Sequence, residues 1–158
     1  MLFTTAARTL ARRSTATTTI AHRFLNLHEY QSAQIMREAG VTVPAGFAAH
    51  TVPEALQAAQ DLGDDQVVIK SQILAGGRGL GTFTNGLQGG VHIIDTEKVE
   101  EYASQMLGVT LVTKQSVPDG KPVNTLLLAK KMNLGREFYF AILMDRESGG
   151  PLMIACSE

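Results

Sequence analysis

Cysteine is the scarcest functional side chain here: Cys156 stands alone. A single thiol excludes an internal disulfide and a cysteine-based zinc site. Its place beside the apolar run Leu152-Met153-Ile154-Ala155 leads us to expect a buried side chain rather than a nucleophile. Long apolar runs are also missing. None approaches the roughly 20 residues needed to span a bilayer, so no membrane is expected as a partner. Acidic residues are absent from positions 1–24, whereas the remainder lacks a basic excess. Of the 14 Lys and Arg, four fall in those first 24 positions, which leaves 10 against 15 Asp and Glu, a formal −5. An acidic domain without a basic stripe is a poor nucleic-acid binder. Past residue 24 there is neither an internal repeat nor a low-complexity segment.

The acid-free start carries Arg8, Arg12, Arg13 and Arg23, with Ser and Thr clustered from Ser14 to Thr19. Basic, hydroxylated and able to form an amphipathic helix, it has the pattern of a mitochondrial transit peptide; a disordered basic tail is the alternative. No continuous apolar core follows the arginines, which argues against a secretory signal. Cleavage is expected near Arg23–Phe24, with the mature protein in the mitochondrial matrix. What remains, residues 25–158, is long enough for one ordinary core.

Helix and strand signals alternate at first. Asn26 and Glu29 have capping-box spacing before a helix that Gly40 ends, and Val41-Thr42-Val43-Pro44 reads as extended. Thr51 and Glu54 repeat the box before a helix closed by Gly63. Val67 to Lys70 is a short strand, and Thr82-Phe83-Thr84 and Val91 to Ile94 are two more. Asp95 or Thr96 is expected to cap a third helix through Met106, stopped by Gly108. Strands then dominate: Leu111 to Lys114, Thr125 to Ala129, Phe138 to Met144 and Leu152 to Ser157. Turn signals lie at Pro118-Asp119-Gly120 and Glu147-Ser148-Gly149-Gly150-Pro151. This order predicts an α+β fold rather than a doubly wound sheet. The run Met132 to Met144 reads as hydrophobic filling. The last strand runs almost to the final residue, as expected of a truncated chain.

The stretch Val67-Val68-Ile69-Lys70-Ser71-Gln72-Ile73-Leu74-Ala75-Gly76-Gly77-Arg78-Gly79-Leu80-Gly81 carries the most chemistry. A buried strand delivers one lysine, and a glycine-rich turn with one arginine follows. It is not a Walker A loop, in which the lysine follows the glycines. Nor is it a dinucleotide fingerprint, because Gly77, Gly79 and Gly81 recur every second residue and a strand follows. What fits is a strand lysine with a glycine loop whose N–H groups approach phosphate closely because no Cβ intervenes. On spacing alone, a surface hairpin whose glycines only supply positive φ fits equally well.

Five segments occur in order: Asn26-Leu27-His28-Glu29-Tyr30-Gln31, Val68-Ile69-Lys70-Ser71-Gln72, Ala75-Gly76-Gly77-Arg78-Gly79, Leu111-Val112-Thr113-Lys114-Gln115 and Glu137-Phe138-Tyr139. Together they resemble the N-terminal ATP-grasp region of mitochondrial succinate–CoA ligase (succinyl-CoA synthetase) β subunits, over residues 26–158. The resemblance implies an α+β ATP-grasp subdomain, a mixed sheet with flanking helices, incomplete at its end. It assigns phosphate contacts to Lys70, Gly77, Arg78 and Gly79, a nucleotide contact to Glu137, and the hinge around the base to Ala129 and Met132. In that family the hinge strand usually ends in a ribose-binding glutamate. Ala129, Lys130 and Lys131 stand there instead, the lysines reading as surface charges. Pro44 matches the residue that accompanies adenine, so ATP is expected rather than GTP; a proline that stiffens the loop is the plain alternative.

The resemblance also implies the reaction ATP + succinate + CoA ⇌ ADP + phosphate + succinyl-CoA. It runs with magnesium and with a partner α subunit that carries the phosphorylated histidine. None of His22, His28, His50 or His92 is therefore expected in that role. Metal ligands and the carboxylate site are expected past residue 158, with no catalytic residue and no turnover by this chain alone. Asp145 reads as a turn acid, with a magnesium neighbour as the rarer possibility. Alternatives are a related malate–CoA-type ligase, or a non-catalytic remnant that binds partner or nucleotide.

Overall fold

A computed structural model describes residues 26–157, so the arginine-rich segment read as a transit peptide lies outside the described residues. Helix α1 spans Glu29–Glu38, with His28 as its N-cap. Gln31 Oε1 accepts the His28 backbone N–H at 2.9 Å. The expected Asn26–Glu29 box does not form, because the Glu29 carboxylate is bonded elsewhere. Gly40, at φ +81°, turns the chain out of the helix as expected.

Strand β1 (Gly46–Ala49) follows. Helix α2 (Val52–Leu62) starts at Thr51, whose hydroxyl accepts the Glu54 N–H at 3.3 Å. The Glu54 carboxylate accepts the His50 N–H at 2.7 Å, and Gly63 ends the helix at φ +68°. Both ends match the sequence signals.

The strands β2 (Gln66–Ser71), β3 (Thr82–Phe83) and β4 (Val91–Asp95) come next, with a 3₁₀ turn at Arg78–Leu80. A second 3₁₀ turn, Thr96–Lys98, leads into α3 (Val99–Met106). Neither expected cap acts as one. The Thr96 hydroxyl donates to the Asp64 carbonyl at 2.6 Å, and the Asp95 carboxylate accepts from Gln66 at 2.9 Å. Gly108 leaves the helix at φ +75° as expected. The remaining strands are β5 (Thr110–Val112), β6 (Lys121–Pro122), β7 (Leu126–Lys130), β8 (Phe138–Asp145) and β9 (Gly150–Ser157). The expected strands are present with ends shifted by a few residues.

The main sheet has the order β1-β7-β2-β4; β3-β5-β6 form a second sheet and β8-β9 a hairpin. The α+β expectation holds, but every ladder among the described residues is antiparallel, where the resemblance implies a mixed sheet. One face of the main sheet, with Ala49, Val67, Ile69, Leu126 and Leu128, packs with Ala55, Ala58 and Ala59 of α2 and Val99, Ala103 and Met106 of α3. Because side chains alternate, Val68 and Lys70 of β2 point to the opposite face. The directly paired Lys70 and Leu127 share that face, and Tyr30 and Ala33 of α1 lie over it. Strict alternation along β2 is therefore what removes Lys70 from the core and offers it to α1.

The hairpin and the segment leading into it overturn two expectations. Cys156 is exposed rather than buried. Met132 and Met144 are exposed, not filling. β8 pairs only with β9 among the described residues, and a two-stranded ribbon without a covering layer buries neither face.

Candidate functional site

Lys70 leaves β2 toward the first turn of α1, and its Nζ lies 2.7 Å from Glu29 Oε1. Arg78, at the start of its 3₁₀ turn, puts Nη2 at 2.7 Å from Glu29 Oε2. Its Nη1 donates to the Ser71 carbonyl at 2.6 Å. The side chains of Lys70, Arg78 and Glu29 are only 27%, 22% and 34% exposed. Two cations from different elements thus meet on the two oxygens of one carboxylate. Partial burial pushes the Glu29 carboxyl up, but the hydrogen bonds from Lys70 and Arg78 prevail and hold it below its ordinary value.

The loop is fixed by contacts its glycines permit. Gly77 adopts φ +72°, where only glycine is unstrained. Leu80 and Gly81 donate to the carbonyls of Gly77 and Arg78, each at 3.1 Å, and Gly90 donates to the Arg78 carbonyl at 2.8 Å. The Gly90 carbonyl in turn accepts the Ser71 N–H at 2.8 Å. A Cβ on Gly90 would stand 2.6 Å from Leu111 Cδ2 and 3.0 Å from Ser71 Oγ. Thr113 Oγ1 donates to the Gly76 carbonyl at 2.9 Å, and a Cβ on Gly76 would collide with the Gln115 amide. The loop is thereby anchored to β2 and to the segment after β5 as a 3₁₀ turn.

Gln72 joins α1 to β2. Nearly fully buried, it accepts the Tyr30 N–H at 3.3 Å through Oε1, and its Nε2 donates to the Lys70 and Ser71 carbonyls at 3.3 Å. The His28 and Tyr30 rings stack at 6.0 Å.

The predicted site residues fall into three groups. Gly77, Arg78 and Gly79 line an open cleft of about 500 Å³ with Leu27, His28 and Glu29, within the size range of small-molecule sites. Lys70, Pro44 and Ala129 line a smaller cavity of about 80 Å³ with Glu29, Tyr30 and Arg37. Glu29 borders both. Met132 and Glu137 lie apart, exposed on the segment between β7 and β8. Arg136 stacks over the Phe138 ring, 4.7 Å from its centroid.

Among the other expected polar residues, Lys130 pairs with Asp64 at 3.1 Å and Lys131 donates to Gln66 at 2.6 Å. His50 bonds Thr125 at 3.1 Å and His92 the Gly89 carbonyl at 2.7 Å. His22 lies outside the described residues. The Asp145 carboxylate accepts the Ser148 N–H at 2.9 Å, as a turn acid does. Hydrogen bonds from the Ser148 side chain and backbone lower its carboxyl's pKa. Among the described residues no three His, Cys, Asp or Glu are placed to share a metal ion.

Glu29 and Gln72 belong to this cluster of contacts, and sequence reasoning does not single them out. A signal for Glu29 exists: a half-buried lysine and a half-buried arginine require a nearby anion, and Glu29 lies in the first of the five family-like segments. Its capping-box spacing points instead to a purely local role.

A family model described as an ATP-grasp domain matches residues 26–158. The chain belongs to the ATP-grasp family. Within it, the chain is 53% identical over 138 residues to a mitochondrial succinate–CoA ligase [ADP-forming] β subunit of Arabidopsis thaliana, covering 86% of this chain and 33% of that protein. The corresponding subunit of Dictyostelium discoideum is 47% identical over 147 residues, 92% of this chain and 33% of its own length. A [GDP-forming] β subunit of Homo sapiens is 47% identical over 152 residues, 96% of this chain and 35% of that protein. The chain spans about a third of the length of these curated relatives.

Proposed function

We propose that residues 25–158 are the N-terminal, nucleotide-binding part of an ATP-grasp succinate–CoA ligase β subunit. In this reading residues 1–24 direct it to the mitochondrial matrix. The observation that carries the proposal is the meeting of Lys70 and Arg78 at one point beside a glycine-lined cleft. Two point charges 2.7 Å from a pair of acidic oxygens form a receptor for an anion that offers two oxygens at once. Loop N–H groups that no Cβ shields would add to it.

The reaction this reading serves is ATP + succinate + CoA ⇌ ADP + phosphate + succinyl-CoA, with an α subunit as partner. Magnesium accompanying the nucleotide would be held by its phosphates and by groups other than the described residues. In this assignment Lys70, Gly77, Arg78 and Gly79 hold the phosphates, Pro44, Ala129 and Met132 border the base, and Glu137 supplies a further nucleotide contact. Relatives of both ADP- and GDP-forming types match, and Pro44 favours adenine.

Calorimetry of the chain with ATP and with GTP, in magnesium, tests the reading. ATP should bind saturably and more tightly than GTP. Lys70→Ala should weaken ATP binding about tenfold or more, the value of one charge-assisted hydrogen bond. A folded chain that binds neither nucleotide overturns the assignment of nucleotide binding to residues 25–158 by themselves.

A further inference from the structure

We infer that Glu29 is an internal anion occupying the phosphate position, so that nucleotide binding is an exchange in which phosphate oxygens replace the Glu29 carboxylate on Lys70 and Arg78. The inference rests on the phosphate reading above and adds the group that the phosphate must displace.

The geometry carries it. Both carboxylate oxygens are used, one on each cation, at 2.7 Å. A carboxylate in this fork presents the same pair of acceptors that a phosphate presents, to the same two donors. Glu29 borders the open cleft that holds Gly77, Arg78 and Gly79, and also the small cavity that holds Lys70. Among the described residues it is the only acidic side chain lining either space, and besides Lys70 and Arg78 the other ionisable groups there are His28, Tyr30 and Arg37.

Glu29 can also leave. It is the first residue of α1, it is 34% exposed, and α1 has no buried residue among its ten. Release therefore disturbs no core packing. While it stays, the carboxylate supplies the counter-charge that two half-buried cations require. It also holds the arginine and lysine in one place before the ligand arrives, at the cost of competing with that ligand. The lowered pKa of Glu29 agrees with a carboxylate bound by two cations.

The test uses the 158-residue chain with sodium tripolyphosphate, without magnesium and at low ionic strength. Wild type is compared with Glu29→Gln and with Glu38→Gln, which removes one charge from the far end of the same helix. Circular dichroism establishes that each is folded. Glu29→Gln should bind tripolyphosphate about twofold to fivefold more tightly than the other two, the most that a partly exposed ion pair is usually worth. In the wild type, the Glu29 side-chain ¹³C resonance, followed against pH, should show its pKa rising toward the ordinary carboxylate value when tripolyphosphate is added.

Equal or weaker binding by Glu29→Gln, or a Glu29 pKa that stays put or falls, overturns the exchange while leaving the phosphate site standing. No tripolyphosphate binding by any of the three folded chains overturns the phosphate reading itself, and the exchange with it.

Discussion

Strands β7 and β8 are similarly apolar, yet their surroundings differ completely. β7 runs between β1 and β2, with α2 and α3 on one face and α1 on the other, so Leu126 to Ala129 are all buried. β8 has only β9 beside it among the described residues, and Phe138, Phe140, Ile142 and Met144 are each more than 60% exposed. Hydrophobic composition is thus a capacity for burial. Burial itself depends on how many neighbours a strand acquires. The same contrast explains the site. Lys70 is held in place because its strand is hydrogen-bonded along both edges, to β7 and β4, and packed on its inner face, whereas Met132 and Glu137 sit on the exposed connection to the hairpin with no such support.

Substitutions that delete apolar volume should break this comparison most visibly. Leu128→Ala in β7 should cost about 2–5 kcal/mol in urea denaturation, because a fully buried side chain leaves a cavity in a packed core. A loss of no more than about 0.5 kcal/mol, the size of most surface substitutions, would show that β7 is not the centre of the packed region.

Gly90→Ala should come next, at about 1–3 kcal/mol, since the new methyl group meets Leu111 and Ser71. It should also loosen the Gly90 bond to Arg78 and thereby weaken tripolyphosphate binding, measured on the same sample. Stability lost with binding unchanged would separate the packing of the loop from its placement of Arg78.

The smallest effect is expected at the hairpin. Ile142→Ala should change stability by no more than about 0.5 kcal/mol, as exposed substitutions do. A cost near that of Leu128→Ala would mean that the hairpin is covered in solution, and the contrast between the two strands would fail.

Much of the packed region is legible in the amino-acid sequence. The Thr51 cap, the glycine exits at Gly40, Gly63 and Gly108, and the strand carrying Lys70 follow from short-range rules, because caps and left-handed turns depend on a few neighbouring residues. The short strands β1 and β6 are not legible there. Four-residue and two-residue strands carry little periodicity, and their pairing with β7 and β5 is what makes them strands. Cys156 and Met144 depart from expectation for the complementary reason, since apolar character gives burial only where a neighbour provides it.

Local chemistry in the chain determined the strand that carries Lys70, the glycine turn with Arg78, and the α+β order of elements, because each depends on side-chain alternation or on backbone freedom over a few positions. Tertiary structure alone decided that Glu29, 41 residues from Lys70 and 49 from Arg78, would stand between them. Charge pairing acts through space, and only the packing of α1 across the face of β2 brings that carboxylate within hydrogen-bond reach of both cations.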